Sequence, residues 1–270
     1  MRPAWTAWGQ LLALAVTACT VAPPPAPEPP PVSFTDPGYQ GFLTPAPLLP
    51  LRAEGAVQFF FRGERETGEL ILQGAPGPAF RLQLQARMTG ALVLELDFDA
   101  QGLLVLDYAG ERYYRGGNTA ENRERLFSLD LTPEEFQTLV TGRVTRAVFQ
   151  DGVGRLEGER AAYRAGADDH RFLLGEGGLP REWVKERQGR PVFRVEFREY
   201  QEAPQAAGPP LLLPRKVRLY RDGGEALLVL GFHRIFPGRN SGTRPDPALL
   251  PDGTTGFAPG RFSDLVPAPR

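Results

Sequence analysis

Between residues 53 and 236 the chain alternates apolar and polar residues with period two, and turn residues interrupt the alternation at short intervals. Phe80, Leu82 and Leu84 interleave with Arg81, Gln83 and Gln85. Leu92, Leu94, Leu96 and Phe98 share one face, with Glu95 and Asp97 on the other. Phe193, Val195 and Phe197 alternate with Arg194, Glu196 and Arg198, and Val217 and Leu219 with Lys216 and Arg218. Strict alternation marks a strand with one face buried. Further strands are predicted at Val57–Phe61, Glu69–Gln73, Leu103–Tyr108, Glu111–Tyr114, Arg155–Glu159, His170–Leu174, Trp183–Glu186 and Ala226–Phe232. Gly74 to Pro78, Gly90, Ala100-Gln101-Gly102, Ala109-Gly110, Gln188-Gly189 and Asp222-Gly223-Gly224 separate them. Short strands joined by tight turns predict an antiparallel meander, because only antiparallel neighbours accept so short a connection. The fold class is therefore mainly β, of the α+β kind.

One segment breaks the period. Leu131 to Gly142 reads as a complete short helix. Thr132 is its N-cap, Glu135 completes a capping box, and Pro133 fits the first turn, where no N–H is needed. Leu131 and Phe136 are spaced for a hydrophobic staple, and Gly142 suits the left-handed residue that ends a helix. Phe136, Leu139 and Val140 form its apolar stripe. A second helix is predicted from Thr119 to Phe127, with Leu126 and Phe127 turned inward.

The N-terminus has another texture. Trp8 to Val16 is apolar apart from Gln10, and Arg2 is the one charge before Cys19, the only cysteine. That run is too short for a bilayer core of about 30 Å. A charged start, an apolar centre and small residues form a secretory signal peptide. Val16-Thr17-Ala18-Cys19 resembles a bacterial lipobox. The resemblance implies cleavage before Cys19 and lipidation of its sulfur and new amino group. Thr20 stands where an aspartate would retain such a protein in the inner membrane. This favours the periplasmic face of the outer membrane. Eleven prolines follow between Pro23 and Pro50. Proline fixes φ and removes a donor, so the cluster from Pro23 to Pro31 is expected to form an extended tether.

The chain thus divides into a signal peptide at 1–18, a lipidated cysteine and Pro-rich tether at 19–52, a β domain at 53–236 and a Pro/Gly-rich tail at 237–270. The tail is expected to dock in part through Phe257, Phe262 and Leu265. A net charge of −1 with interspersed signs gives no clustered basic footprint for nucleic acid. A single cysteine excludes an internal disulfide. A monomer is expected.

Motifs for catalysis are absent from this reading. Ser33, Ser128, Ser241 and Ser263 lie outside any G-x-S-x-G elbow, and no phosphate loop or dinucleotide fingerprint occurs. Asp168-Asp169-His170 reads as a turn with a solvated acidic pair, since no second cluster supplies metal ligands. Glu134 and Glu135 are accounted for by the helix N-terminus, and His233 reads as a strand residue. No catalytic residue, cofactor or metal is assigned, and no enzymatic activity is expected.

The order of elements resembles the outer-membrane lipoprotein-receptor superfamily, the LolA/LolB-like lipid carriers, in its lipoprotein branch or a related uncharacterised domain. Phe80 to Leu84, Gly90 to Leu96 and Gly110 to Tyr114 come first. Two short helices follow, then Gly178 to Trp183, Pro191 to Tyr200 and Leu213 to Val217. The resemblance covers roughly 53–236. It implies an open, strongly curved antiparallel sheet, an incomplete barrel, with lid helices over an apolar cavity that holds lipid or lipoprotein acyl chains. On the inward faces the candidate cavity residues are Phe59, Phe61, Leu82, Leu84, Leu94, Leu96, Phe136, Leu139, Val140, Phe193, Val195, Phe197 and Leu219. A one-residue register error would turn each strand's set outward. A loop leucine delivers cargo to the membrane in the best-known receptor of that family. The matching loop is Arg87 to Gly90, where Met88 is the candidate and a methionine turned into the core is the alternative. The implied partners are the membrane, through the lipid anchor, a lipid or lipoprotein cargo and a periplasmic carrier. The alternative to a carrier is a scaffold lipoprotein of an envelope or secretion complex, with the same fold and a filled core.

Overall fold

The computed structural model describes residues 39, 41–44, 50–61, 64–75, 79–204, 210–221, 226–238, 257–261 and 264, with 60 and 61 described by backbone alone. Cys19, the lipobox and the Pro23–Pro31 cluster lie outside the described residues, as do Phe262 and Leu265.

A short strand β1 (Leu43–Thr44) precedes a first meander: β2 (Leu51–Phe61), β3 (Glu64–Ala75), β4 (Ala79–Gln85), β5 (Leu92–Phe98), β6 (Gly102–Asp107) and β7 (Arg112–Gly117). Next come helices α1 (Ala120–Phe127) and α2 (Pro133–Thr141), strand β8 (Val144–Thr145) and helix α3 (Arg146–Asp151). A second meander follows: β9 (Arg155–Glu157), β10 (Arg160–Ala165), β11 (Asp168–Leu174), β12 (Pro180–Arg187), β13 (Arg190–Ala203), β14 (Leu211–Tyr220) and β15 (Ala226–Pro237). The last strand is β16 (Ala258–Gly260).

Each meander pairs its strands with their sequence neighbours, as short hairpins require. The two meet where β15 lies antiparallel to β2, which makes one 14-stranded sheet with β16 and β9 at its ends. Glycine permits this seam. A Cβ on Gly55 would sit 2.1 Å from the carbonyl oxygen of Gly231. The two end strands do not pair with each other, so the sheet is open and antiparallel as the alternation predicts. An open sheet this wide must curl. The helices sit against its inner face. Phe136 of α2 packs on Phe80 and Phe98 of the first meander, while Glu135 reaches Lys185 of the second.

The capping box, the proline of the first turn and the closing glycine predicted for α2 are present. Thr132 Oγ1 accepts from the Glu135 N–H at 3.2 Å, and the Glu135 carboxylate accepts from the Thr132 N–H at 2.9 Å. Gly142 ends the helix at φ +65°. Helix α1 starts at the N-cap Thr119. Helix α3 and strands β1, β8, β10 and β16 have no counterpart among the predicted elements.

Two segments outside 53–236 take part in the fold. Leu43 and Thr44 pair in parallel with Val144 and Thr145, and Phe42 is fully buried between the rings of Phe149 and Phe172. At the other end β16 pairs in parallel with β7, and Phe257 sets its ring against Tyr108 at 5.4 Å.

Candidate functional site

The first meander and the adjoining strands of the second enclose an apolar slot under the helices. From β2 and β3 come Val57, Phe59 and Leu70; from β4 and β5, Leu82, Leu84, Leu94 and Leu96. Leu219, Leu227 and Leu228 complete the wall from β14 and β15. The register of β14 against β15 shifts beside Leu219, and the sequence neighbours Leu227 and Leu228 both reach the slot. Leu126 and Phe127 of α1 and Phe136 of α2 form the roof. Every lining side chain is aliphatic or a phenylalanine ring.

The roof is knitted by ring contacts. Phe136 lies 5.0 Å from Phe80, 5.2 Å from Phe98 and 6.3 Å from Phe127, with the first two edge-on. Such offset and edge contacts each contribute about 0.5–1.5 kcal/mol beyond burial. The free volume beneath is about 60 Å³. A water molecule occupies about 30 Å³ in the liquid, so the slot is closed around very little space. An acyl chain enters only if the roof moves.

Of the sequence-predicted cavity residues, Phe59, Leu82, Leu84, Leu94, Leu96, Phe136 and Leu219 line this slot. Leu139 and Val140 do not, being packed at 0% and 1% exposure on α2. Phe193, Val195 and Phe197 lie on β13 in the packed core and do not line the slot, although Val195 pairs with Leu219 across the strands. Their alternation reports a buried face, and a buried face is apolar whether it meets a void or another side chain. The side chain of Phe61 lies outside the described residues. Val57, Leu70, Leu126, Phe127, Leu227 and Leu228 were not on the predicted list. Leu126 and Phe127 carried a signal, as the inward pair of the helix predicted from Thr119 to Phe127.

Met88 caps the hairpin joining β4 to β5 and is 97% exposed, the largest value among the exposed apolar side chains. The turn is closed by the Gly90 N–H on the Ala86 carbonyl at 2.8 Å and the Ala86 N–H on the Ala91 carbonyl at 2.9 Å. The methionine is not turned into the core. Leu84 and Leu94, which line the slot, sit at the hairpin end of the same two strands.

The second meander is finished differently. Lys185 of β12 is 1% exposed and sits 2.7 Å from Glu135 Oε1 and 3.1 Å from Asp168 Oδ2. It also donates to the Asp130 carbonyl at 3.1 Å. Arg187 bridges Asp168 and Asp130, and Arg123 closes on Asp130 at 2.6 Å. His170, 1% exposed, stacks on Tyr163 at 4.5 Å and accepts from Trp183 Nε1 at Nδ1 over 3.2 Å. Burial, then the Lys185 charge, pushes the imidazole down to about 4, so it is neutral at pH 7. Burial raises the Glu135 carboxyl, against the pull of Lys185. Burial is the largest single influence on Asp168 and pushes it up, but the hydrogen bonds and charges of Arg187 and Lys185 together outweigh it and hold the carboxyl below the usual carboxylate range. The expected solvated turn at Asp168-Asp169-His170 is thus a strand. Only Asp169 faces outward, paired with Arg164 at 2.7 Å.

Neither a protein-family model nor a curated protein sequence matches the chain. Solved structures are similar to it. A LolA superfamily protein from Nitrosomonas europaea covers 74% of this chain and 91% of its own, at 8% identity and a TM-score of 0.43. A domain assigned to outer-membrane lipoprotein sorting in Vibrio parahaemolyticus covers 72% and 86%, at 8% identity and 0.43. A DUF1329 family protein from Desulfovibrio piger covers 70% and 85%, at 10% identity and 0.43. At these scores the likeness carries nothing about function.

Proposed function

We propose that this protein is an outer-membrane-anchored lipoprotein that binds lipid or lipoprotein acyl chains in its apolar slot and acts as a stationary acceptor. The observation that carries the reading is a slot with no polar lining residue, roofed by a helix of eight residues. A helix that short has little stability of its own and depends on what it packs against. Displacing Leu126 and Phe127 exposes apolar surface, and an incoming acyl chain covers it again at about 25 cal/mol per Å². Cys19 and the prolines after it would anchor the domain at one membrane, with a reach of tens of Å at about 3.1 Å per residue. Met88, exposed on the hairpin at the slot's end, is the candidate for contact with the bilayer.

The small free volume favours a second reading, a scaffold lipoprotein with a filled core. Native mass spectrometry after gentle membrane extraction separates the two. Co-purified lipid, lost from a variant with Leu82→Trp filling the slot, supports the acceptor. Lipid-free protein that also takes up no fatty acid from solution supports the scaffold. The same spectrum tests the anchor, since an unmodified Cys19 would remove the membrane from the proposal.

A further inference from the structure

The outer face of the sheet differs between the two meanders. On β5 and β6 the residues turned away from the helices are Glu95, Asp97, Leu104 and Leu106. The register sets Asp97 beside Leu104 and Glu95 beside Leu106. Arg81 and Gln83 of β4 flank them on one side, Arg115 and Tyr113 of β7 on the other. Leu104 is 1% exposed and Leu106 0%. On the outer face of the second meander Leu173 is 42% exposed.

Side chains of neighbouring strands stand beside one another, about 4.8 Å apart, and shield flanks rather than tops. A leucine with no exposed surface on an outer face therefore has something lying over it. This burial arises within a single chain, so the cover belongs to that chain.

Connectivity points to one part of it. Strand β15 ends at Pro237, beside Leu51 of β2. The chain rejoins the sheet at β16, against β7, with six strands in between. Seven steps of about 4.8 Å make about 34 Å. The 18 residues 239–256 separate Gly238 from Phe257, and a chain of that length reaches about 60 Å. Helices α1 and α2 take the inner face, so the direct way is across the outer one. Pro237 stands level with Phe98 and Leu103, whereas Ala258 stands beside Arg112 at the other end of β7. A diagonal between those levels passes over Asp97, Glu95 and Leu106. At its far end Phe257 rests on Tyr108, the next outward residue of the Leu104–Leu106 row.

The composition of the segment suits this path. Pro245, Pro247 and Pro251 keep it from joining a sheet interior. Leu249 and Leu250 are its only bulky apolar residues. Spaced evenly along the crossing, they fall between β5 and β6, where the buried leucines are.

We propose that the outer face of β5 and β6 is the docking surface for residues 239–256 of the same chain, with Leu249 and Leu250 seated on Leu104 and Leu106. The surface is on the opposite side of the sheet from the apolar slot and is independent of the lipid-binding reading.

The test uses the full chain in a Cys19→Ser background, with single reporter thiols from Leu104→Cys or Leu173→Cys, alkylated by iodoacetamide under native conditions. A covered thiol reacts only while its cover is open, so the Leu104→Cys thiol should react at least about tenfold more slowly than the Leu173→Cys thiol. Combining Leu249→Asp with Leu250→Asp should raise the Leu104→Cys rate about tenfold or more and leave the Leu173→Cys rate unchanged, because a carboxylate resists burial. Equal rates at the two positions, or no response to the aspartates, would overturn the proposal. A second variant reads the contact while keeping the segment apolar. With Leu250→p-benzoylphenylalanine, photocrosslinks mapped by mass spectrometry to β4, β5 or β6 support the docking. Crosslinks only to other parts of the chain or to a second copy, or none at all, overturn it.

Discussion

One sheet carries two interiors. Under the first meander the inner face is leucine, valine and phenylalanine against a short helix, and a narrow void of about 60 Å³ is left. Under the second, planar rings stack against one another. Tyr163 lies at 4° to His170, Phe172 at 8° to Trp183, and Trp183 meets Phe193 edge-on at 4.8 Å. Around that stack sit Lys185, Glu135, Asp168 and Arg187. The two interiors resist opening for different reasons. Parting the first exposes only apolar surface, which a ligand's apolar surface replaces. Parting the second strips partners from buried charges, and no apolar ligand replaces those. Helix α2 belongs to both, with Phe136 in the roof of the slot and Glu135 in the charged cluster. Among the described residues, helix α1 reaches the cluster only at Arg123, on Asp130, and its Leu126 and Phe127 meet the slot.

The largest effect should come from breaking the charged side. Lys185→Ala leaves Glu135 and Asp168 together without their shared cation. Removing one partner of a buried pair costs about 3–5 kcal/mol, a fall of about 10 °C in Tm for a domain of this size. Phe193→Ala, in the ring stack, should cost a similar amount. Urea and thermal melts measure both. A loss under about 1 kcal/mol in Lys185→Ala would mean the cluster is not what holds α2.

Acid should loosen the same side through His170. Its folded-state value of about 4 lies below the ordinary 6.5. The unfolded chain takes up the proton first as pH falls. This contribution is fully present above about pH 6.5 and is lost by about pH 4, at most about 3 kcal/mol. Glu135 acts in the opposite sense. Raised in the fold, it protonates earlier in the native state and returns some stability as pH falls toward its ordinary value. Asp168 and Asp130, both lowered, lose their contributions only below about pH 4. Unfolding midpoints from pH 7 to 4 should fall in the parent and stay nearly flat in His170→Gln. Parallel profiles would assign the acid sensitivity elsewhere.

This contrast explains what could be read from the chain. Alternation located the strands from Val57–Phe61 to Ala226–Phe232, because one buried face imposes period two on its own sequence. The caps located α2, because Thr132, Pro133 and Gly142 satisfy backbone groups locally. Strand β10 was missed. Its inward residues are Ala161 and Tyr163, and alanine is too small to stand out against Ala162. Strands β1 and β16 were missed because they pair with partners about 100 and 150 residues away, and three prolines surround β1 at 45, 47 and 50. Glu95 and Asp97 were expected on the face opposite Leu92, Leu94, Leu96 and Phe98. They are buried at 4% and 1%, and Arg81 meets Asp97 through two bonds of 2.7 Å. An ion pair across strands looks in sequence like three separate surface charges. The slot was half legible for the same reason. Leu84 and Phe193 have identical patterns, and only the partner across the interior tells a wall from a filled core.

A smaller effect sharpens the other side of the comparison. Phe127 roofs the slot and is half-buried, with its ring 5.5 Å from Phe98. Phe127→Ala should cost about 1–2 kcal/mol, less than a fully buried phenylalanine. It should also widen the slot and strengthen uptake of a fluorescent fatty-acid analogue. The control is Phe193→Ala, which should lose more stability and gain no uptake. Equal uptake in the two variants would remove the distinction between the interiors.

The smallest effect on stability belongs to Met88. At 97% exposure it contributes almost nothing to packing, and surface substitutions stay within about 0.5 kcal/mol. Met88→Asp should therefore melt with the parent and load acyl chains normally, since the slot lies beneath the strands and not at the hairpin tip. Delivery is where the variant should differ. A carboxylate at the tip cannot enter the apolar edge of a bilayer without a large desolvation cost. Release of a bound fatty-acid analogue to neutral phosphatidylcholine vesicles should slow by about tenfold or more, while release to a soluble acceptor stays unchanged. Neutral vesicles exclude simple charge repulsion as the cause. Were both releases to slow together, the hairpin would act on the slot itself, and if neither slowed, Met88 would have no part in meeting the membrane.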